Sequence, residues 1–212
     1  MNREEAYEIL TKHMTKPNLL KHCIATEAVM KHFAELNNED IEYWGNVGLL
    51  HDIDYELYPE EHCKKYKEVL QDTVDDEFIR TLETHGYELC TDVKPEKHME
   101  KVLITIDQLT GFITACALMK PSKKLEDVEL PSMRKKWKNK NFAAGTQRDR
   151  IEHWTAELGY TLDYMLEQTL IAMKKEPSLH WQVKSLMYII DTIWQYIYYE
   201  QGGEILWQKT SD

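Results

Sequence analysis

Glycine and proline are scarce in this chain of 212 residues. It contains 8 Gly and 6 Pro, whereas average usage of roughly 7% and 5% would supply clearly more of both. A β-sandwich or a β-barrel needs a turn about every 8–12 residues and would consume many more of these turn-forming residues. The scarcity of both residues therefore favours an all-α fold.

Cysteine is also rare, and its spacing excludes the common cysteine motifs. Cys23, Cys63, Cys90 and Cys116 are far apart in the sequence and form no CxxC pair. A structural zinc site built from clustered cysteines is therefore disfavoured. We expect four reduced, mostly packed thiols, as in a cytoplasmic protein.

Long apolar runs and excess positive charge are absent too. The longest apolar stretch, near residues 112–119, is shorter than the roughly 20 residues that span a bilayer. The first residues, MNREEAYEIL, are acidic and helical in pattern, so we expect no secretory signal there. With 26 basic and 37 acidic side chains, the net charge of −11 argues against nucleic acids and anionic membranes as partners.

Several nucleotide-binding and hydrolase signatures are missing. The chain has no GxxxxGK[ST] loop, no GxGxxG turn and no GxSxG elbow. This argues against P-loop kinases, Rossmann dehydrogenases and α/β-hydrolases.

Apolar residues instead recur with helical spacing along most of the chain. The predicted helices cover residues 3–14, 17–36, 40–52 with Asp40 as cap, 59–70, 75–86, 95–119, 148–173 with an interruption at Leu158-Gly159, and 178–201. We expect turns between residues 120 and 150. The predicted organisation is a helical domain over residues 1–175 and an aromatic-rich helical extension over 176–212, which would cap the bundle or form a homodimer face.

Histidine and aspartate occur on the apolar faces of these predicted helices. An ionised aspartate on a buried face is costly unless it is paired or bound to a metal. A single histidine on an apolar face is usually a hydrogen-bonded core residue, but six such residues on five helices favour a shared metal centre. The six are His22, His51, Asp52, His62, His85 and Asp107.

The order of these residues resembles the HD-domain superfamily of metal-dependent phosphohydrolases, which is named after its adjacent His-Asp doublet. The segments LLHDIDYE and ITIDQLTGFITACALMKPSKKLEDVELPSMRKKWKNKNFAAG further resemble a small bacterial subgroup of that superfamily. The resemblance covers about residues 3–173 and implies an HD-type helical bundle.

The resemblance also implies a ligand set and a reaction. His22, His51, Asp52 and Asp107 would bind a first metal ion, and Asp52 would bridge to a second ion held by His62 and His85. Imidazole and carboxylate ligands suit one or two divalent ions of Fe, Mn, Co, Ni or Zn. The implied reaction is hydrolysis of a small phosphomonoester or phosphodiester, such as a nucleotide, by a metal-bound hydroxide.

The sequence departs from its relatives just after the doublet. Some relatives have HD-x-G followed by a basic residue, or Glu three residues after the Asp, whereas Asp54 and Tyr55 occupy these places here, with Glu56 next. The sequence leaves open which residue transfers protons during the reaction. The catalytic candidates are Asp52, Asp54 and His62, and His62 could transfer protons if one metal binds.

A basic segment follows the predicted Asp107 helix. Residues 120–150 contain ten basic and four acidic side chains within an acidic protein. An anionic substrate needs nearby cations, and this segment could fold back over the metal centre. The candidate substrate-binding residues are Lys123, Lys124, Arg134, Lys135 and Lys136.

Two other functions stay open. Some HD folds use a di-iron site for oxygenase chemistry, and an HD fold can also serve as a non-catalytic binding module. Unused buried carboxylates would destabilise such a module, which argues against the second alternative.

Overall fold

The computed structural model of the protein describes residues 1–70 and 73–179. These residues form nine α-helices and no β-strand, which confirms the predicted all-α class. The helices are α1 (Arg3–His13), α2 (Pro17–Asn37), α3 (Ile41–Leu50), α4 (Tyr66–Leu70), α5 (Asp76–Thr84), α6 (His98–Leu118), α7 (Leu130–Trp137), α8 (Arg148–Glu157) and α9 (Leu162–Lys175).

Polar side chains begin several of these helices by accepting otherwise unpaired backbone N–H groups. Asp40 accepts from the N–H of Tyr43, as predicted, and Thr161 accepts from the N–H of Tyr164. The predicted interruption between α8 and α9 is present, since Gly159 has a φ of +74°.

The helix predicted from Pro59 to residue 70 is not continuous. A single 3-10 turn covers Pro59–Glu61, and α4 begins only at Tyr66. Between them, His62 has an extended ψ of 145° and Cys63 has a left-handed φ of +67°. His62 and Cys63 therefore lie in a turn and not on the helical face that the sequence predicted.

The segment between residues 120 and 150 contains a helix, α7, where the sequence predicted turns. The Leu130-Pro131 pair begins this helix, because proline is well tolerated in the first helical turn. The loop after α7 is organised by buried Arg148. Its guanidinium donates to backbone oxygens of five residues: Trp137, Asn139, Phe142, Ala143 and Thr146.

The core is built around the two longest helices, α2 and α6, with α3 packed against α2 and α8 and α9 packed against α6. Gly48 of α3 permits unusually close packing on α2. A Cβ atom at this position would lie 2.8 Å from the backbone oxygen of Thr26 and 3.0 Å from Cα of Glu27. The backbones of α2 and α3 can therefore touch where their histidines meet.

Among the described residues, α6 alone is long and apolar enough to cross a membrane, by length and composition. However, 67% of its most apolar stretch is buried inside the protein, as in the core helix of a water-soluble domain. Most of the predicted extension over residues 176–212, including its aromatic helix, lies outside the described residues.

Candidate metal centre

Five separate segments supply the six predicted ligands. His22 lies on α2, the His51-Asp52 doublet follows the end of α3, and His62 lies in the turn before α4. His85 directly follows α5, and Asp107 is near the middle of α6. The structure brings all six side chains together, with the four histidines buried.

The first group of ligands consists of His22, His51 and Asp107 together with one oxygen of Asp52. The two Nε2 atoms of His22 and His51 are 3.1 Å apart. Oδ1 of Asp107 lies 3.0 Å from Nε2 of His22 and 3.5 Å from Nε2 of His51. These histidine and carboxylate atoms are close enough to bind one metal ion.

The second group consists of His62 and His85, whose Nε2 atoms also lie 3.1 Å apart. The thiol of Cys63 is close to this pair, with its Sγ 3.9 Å from Nε2 of His85. These three side chains are buried and could also hold a metal ion.

The carboxylate of Asp52 lies between the two groups. Its Oδ2 atom is 3.4 Å from Nε2 of both His22 and His51. Its Oδ1 atom is 3.4 Å from Nε2 of both His62 and His85. One carboxylate thus presents a different oxygen to each histidine pair, which is the arrangement of a bridging ligand.

The outer nitrogen of each histidine is held by a hydrogen-bond acceptor. Nδ1 of His51 donates to the Gly48 carbonyl at 2.8 Å, and Nδ1 of His85 donates to the Leu82 carbonyl at 2.6 Å. Nδ1 of His62 donates to the Asp54 carboxylate at 2.7 Å. Nδ1 of His22 lies 3.3 Å from the Thr110 hydroxyl, which donates its own proton to the Asp107 carbonyl. Such contacts fix Nδ1 as the protonated nitrogen of each neutral ring and leave Nε2 as the ligand atom.

In this tautomer, the Nε2 atom of each neutral histidine carries a lone pair and no proton. Two neutral imidazoles repel when their lone pairs face each other at 3.1 Å, so each pair needs a shared cation, either a proton or a metal ion. Two ligand atoms about 2.1 Å from a metal and about 90° apart are themselves separated by about 3.0 Å. The two histidine pairs therefore have the spacing of metal ligands.

The electrostatics of the cluster favour cations. Burial alone would lower the pKa of His51, but the charges and hydrogen bonds of Asp52 and Asp107 outweigh it and raise this pKa well above its usual value. Burial would likewise raise the pKa of Asp52, yet the surrounding histidines hold it well below its usual range. The carboxylates of the centre are therefore ionised and attract positive charge.

Asp54 lies behind His62 and away from the facing Nε2 atoms. It is fully buried, and its second oxygen accepts from the backbone N–H of Lys65 at 3.3 Å. Burial alone would lower the pKa of His62, but the Asp54 hydrogen bond and the charge of Asp52 raise it to about 9. Asp54 therefore orients His62, as carboxylates behind metal-bound histidines commonly do.

The Glu56 carboxylate binds to the connection between α1 and α2. It accepts from the backbone N–H groups of Thr15 and Lys16 and from the Thr15 hydroxyl. It thereby holds the connection between α1 and α2 and makes a structural contact.

Two cysteines meet beside the second group, which the sequence analysis did not anticipate. The Sγ atoms of Cys63 and Cys90 are 2.6 Å apart, although the residues are separated by 27 positions. No periodicity connects them, because both lie in irregular turns. The expectation of reduced, mostly packed thiols is confirmed, since three of the four cysteines are buried and none forms a disulfide; the contact between Cys63 and Cys90 was not part of that expectation.

Arg150 is a second residue that the sequence analysis passed over. From α8, its guanidinium donates to the His85 carbonyl at 2.7 Å and to the Gln147 side chain at 3.3 Å. Burial lowers the pKa of Arg150, and the negative charge of Asp107 acts in the opposite direction. Its Nε is buried and has no hydrogen-bond partner among the described residues. This cation therefore lies beside the histidine and aspartate cluster.

The five predicted substrate-binding cations lie on or before α7. Arg134 forms an ion pair with Asp163, and Lys136 donates to Ser132, whereas Lys123, Lys124 and Lys135 are exposed. The ring of Trp137, at the end of α7, packs on Phe112 of α6. Phe112 is five residues after Asp107, or about 140° around the helix axis, so α7 flanks α6 on a different side from Asp107.

No family model matches the chain, and neither a curated protein nor a solved structure is similar to it. The chemistry of the cluster therefore rests on its own geometry.

Proposed function

We propose that the protein is a metal-dependent phosphohydrolase of the HD type, with a centre for two divalent transition-metal ions. The observation that carries this proposal is the division of the two Asp52 oxygens between two histidine pairs. Bound in pairs, such ions supply an activated water and polarise the phosphoryl group.

The roles of the chain's own residues follow from their positions. His22, His51 and Asp107 would hold the first ion, His62 and His85 the second, and Asp52 would be shared between both. Asp54 orients His62 through Nδ1. If only the first ion binds, His62 and Asp54 form a carboxylate–imidazole pair able to give a proton to the leaving oxygen.

The charge of the centre supports a small anionic substrate. Two divalent ions are balanced in part by the carboxylates of Asp52, Asp54 and Asp107. Arg150 adds a half-buried positive charge that is hydrogen-bonded to the His85 backbone carbonyl and interacts electrostatically with Asp107. We infer that it contacts a phosphate of the substrate directly, and that Lys123, Lys124, Arg134, Lys135 and Lys136 contribute a weaker, more distant attraction.

The four cysteines form no disulfide bond, which supports a cytoplasmic location. The net charge of −11 supports a small-molecule substrate in preference to nucleic acid or a membrane surface. A homodimer through the C-terminal segment stays a prediction.

A di-iron oxygenase is the second candidate, because a carboxylate shared between two histidine pairs is also suited to two iron ions. The two functions differ in which metal ion should restore activity to the metal-free protein. A phosphohydrolase should work with a redox-inert ion such as Zn²⁺, whereas an oxygenase needs iron and O₂.

The test is a panel of phosphomonoesters and phosphodiesters, assayed with metal-free protein and after addition of Mn²⁺, Fe²⁺, Co²⁺, Ni²⁺ or Zn²⁺. We expect phosphate release that requires an added ion and that is lost in Asp52→Ala. A chelated protein with full hydrolytic activity would contradict the proposal, and O₂ consumption restricted to the iron form would favour the oxygenase.

A further inference from the structure

Cys63 lies within reach of the second metal position. Its Sγ and one ring nitrogen each of His62 and His85 all lie within 4.8 Å of one another, and Oδ1 of Asp52 is 3.4 Å from both histidine Nε2 atoms. In a tetrahedral zinc site, two nitrogens are about 3.4 Å apart, and a nitrogen and a sulfur about 3.6 Å. The corresponding separations here are 3.1 Å between His62 and His85 and 3.9 Å between His85 and Cys63.

Two backbone features bring Cys63 and Cys90 together at this place. Cys63 adopts a left-handed φ of +67°, a strained conformation for a residue with a side chain, and such strain is concentrated at functional sites. Gly86 lies beneath both sulfurs, and a Cβ there would be 2.4 Å from the Sγ of Cys63 and 2.2 Å from that of Cys90. Only glycine leaves room for both thiols.

The loop that carries Cys90 is tightly held. The carbonyl of Gly86 accepts the backbone N–H groups of Leu89, Cys90 and Thr91. This turn fixes Cys90 with its Sγ 2.6 Å from the Sγ of Cys63, which is not far beyond the S–S bond length of about 2.05 Å. Cys90 is also the more exposed of the two thiols, because Cys63 is only 2% exposed.

We propose that Cys63 is the fourth protein ligand of the second metal position, and that a reversible disulfide with Cys90 removes it. This inference rests on the metal centre of the proposed function and extends it with a thiolate ligand and a redox control. A set of two imidazoles, one carboxylate and one thiolate favours Zn²⁺ over Mg²⁺ or Mn²⁺ at this position.

The oxidant is a low-molecular-weight disulfide. Cys90 Sγ attacks one sulfur of that disulfide, forms a mixed disulfide and releases one small thiol. Cys63 Sγ then attacks Cys90 Sγ, and the second small thiol leaves. Two electrons pass from the two protein sulfurs to the added disulfide, which leaves as two small thiols. Cys90 supplies one of their protons and solvent supplies the other, because metal-bound Cys63 is already a thiolate. The second ion would then keep only His62, His85 and Asp52 as protein ligands.

The first test uses Co²⁺ bound to the full-length, metal-free protein. We expect a sulfur-to-cobalt charge-transfer band in the near ultraviolet for the wild type, for Cys90→Ser and for the matched control Cys116→Ser, whose thiol is buried on α6. The band should be lost in Cys63→Ser. A wild-type protein that binds two Co²⁺ without this band would overturn the inference and leave the proposed function standing, whereas failure to bind Co²⁺ would overturn both.

A second measurement needs no variant. X-ray absorption at the zinc edge of the wild type should show a sulfur scatterer at about 2.3 Å. If every ligand is nitrogen or oxygen, Cys63 does not bind the ion.

Oxidation tests the role of Cys90. Oxidised glutathione should release one of two zinc ions from the wild type, together with the formation of an intramolecular Cys63–Cys90 disulfide detected by mass spectrometry. Cys116→Ser should behave like the wild type, and Cys90→Ser should keep its zinc. Equal zinc release from Cys90→Ser and the wild type would contradict the proposed redox control.

Discussion

Nε2 of His22 faces Nε2 of His51 across a gap of 3.1 Å, although these residues belong to different helices. Gly48 lies one turn before His51 and lets α3 approach α2 to backbone contact. Its carbonyl also accepts the Nδ1 proton of His51, at 2.8 Å. One residue thus determines both the separation of two candidate metal ligands and the orientation of one of them.

Gly48→Ala should therefore destabilise the protein and weaken metal binding. The added Cβ would lie 2.8 Å from a backbone oxygen that cannot move alone, and overpacking of this kind costs about 1–3 kcal/mol. Gly45→Ala on the same helix is the matched control. The three heavy atoms nearest to its Cβ would all belong to the flexible side chain of Lys31, and alanine favours the helix by up to about 1 kcal/mol. Urea unfolding of both variants checks this prediction, and equal stabilities would contradict it.

The sequence predicted the all-α class, most helix boundaries and all six residues of the histidine and aspartate cluster. These features depend on local periodicity, on caps such as Asp40 and on the order of the ligands along the chain. The break at Cys63 was not predicted, because its apolar spacing with Tyr66 and Leu70 is compatible with a continuous helix.

Sequence patterns also did not predict the residues that surround the histidine and aspartate cluster. Cys63 and Cys90 meet through two irregular turns, and Arg150 reaches His85 from a helix 65 residues away. In the sequence, Arg150 is one of ten basic residues in a charged segment, and only tertiary packing distinguishes it. Arg148, two residues earlier, instead holds the loop after α7.

Asp54→Asn should lower metal affinity without removing a ligand. The amide can present its nitrogen to His62 and so disturb the contact that holds Nδ1 protonated and the ring in position. Loss of such outer contacts typically costs 10–100-fold in metal affinity. Competition with a chromogenic chelator measures the change. Glu56→Gln, two residues away and bound to Thr15 and Lys16, should leave the affinity unchanged.

Arg150→Gln should raise KM for a phosphoester at least tenfold, because it removes a half-buried cation beside the metal centre. Combined substitution of Lys123, Lys124, Lys135 and Lys136 by glutamine should have a smaller effect that shrinks as salt rises, because exposed charges are screened. Steady-state kinetics at two salt concentrations compare the variants. A KM for Arg150→Gln equal to that of the wild type would exclude direct contact with the substrate.

Removal of the metal should lower thermal stability. An ion that binds only the folded protein at 100 times its Kd contributes about 2.7 kcal/mol, which corresponds to roughly 5–10 °C in a protein of this size. Differential scanning calorimetry before and after chelation measures the shift. Asp52→Ala serves as the control and should melt at nearly the same temperature in both conditions.

The most direct measurement of the central claim is the metal content of the full-length protein after saturation with Zn²⁺ or Mn²⁺ and removal of unbound ions. The division of the Asp52 oxygens between the two histidine pairs predicts two ions per chain. It also predicts a loss of both ions in Asp52→Ala, while the surface variant Asp163→Ala keeps both. A folded wild-type protein without stoichiometric metal, or an Asp52→Ala protein that retains two ions, would contradict the proposed centre.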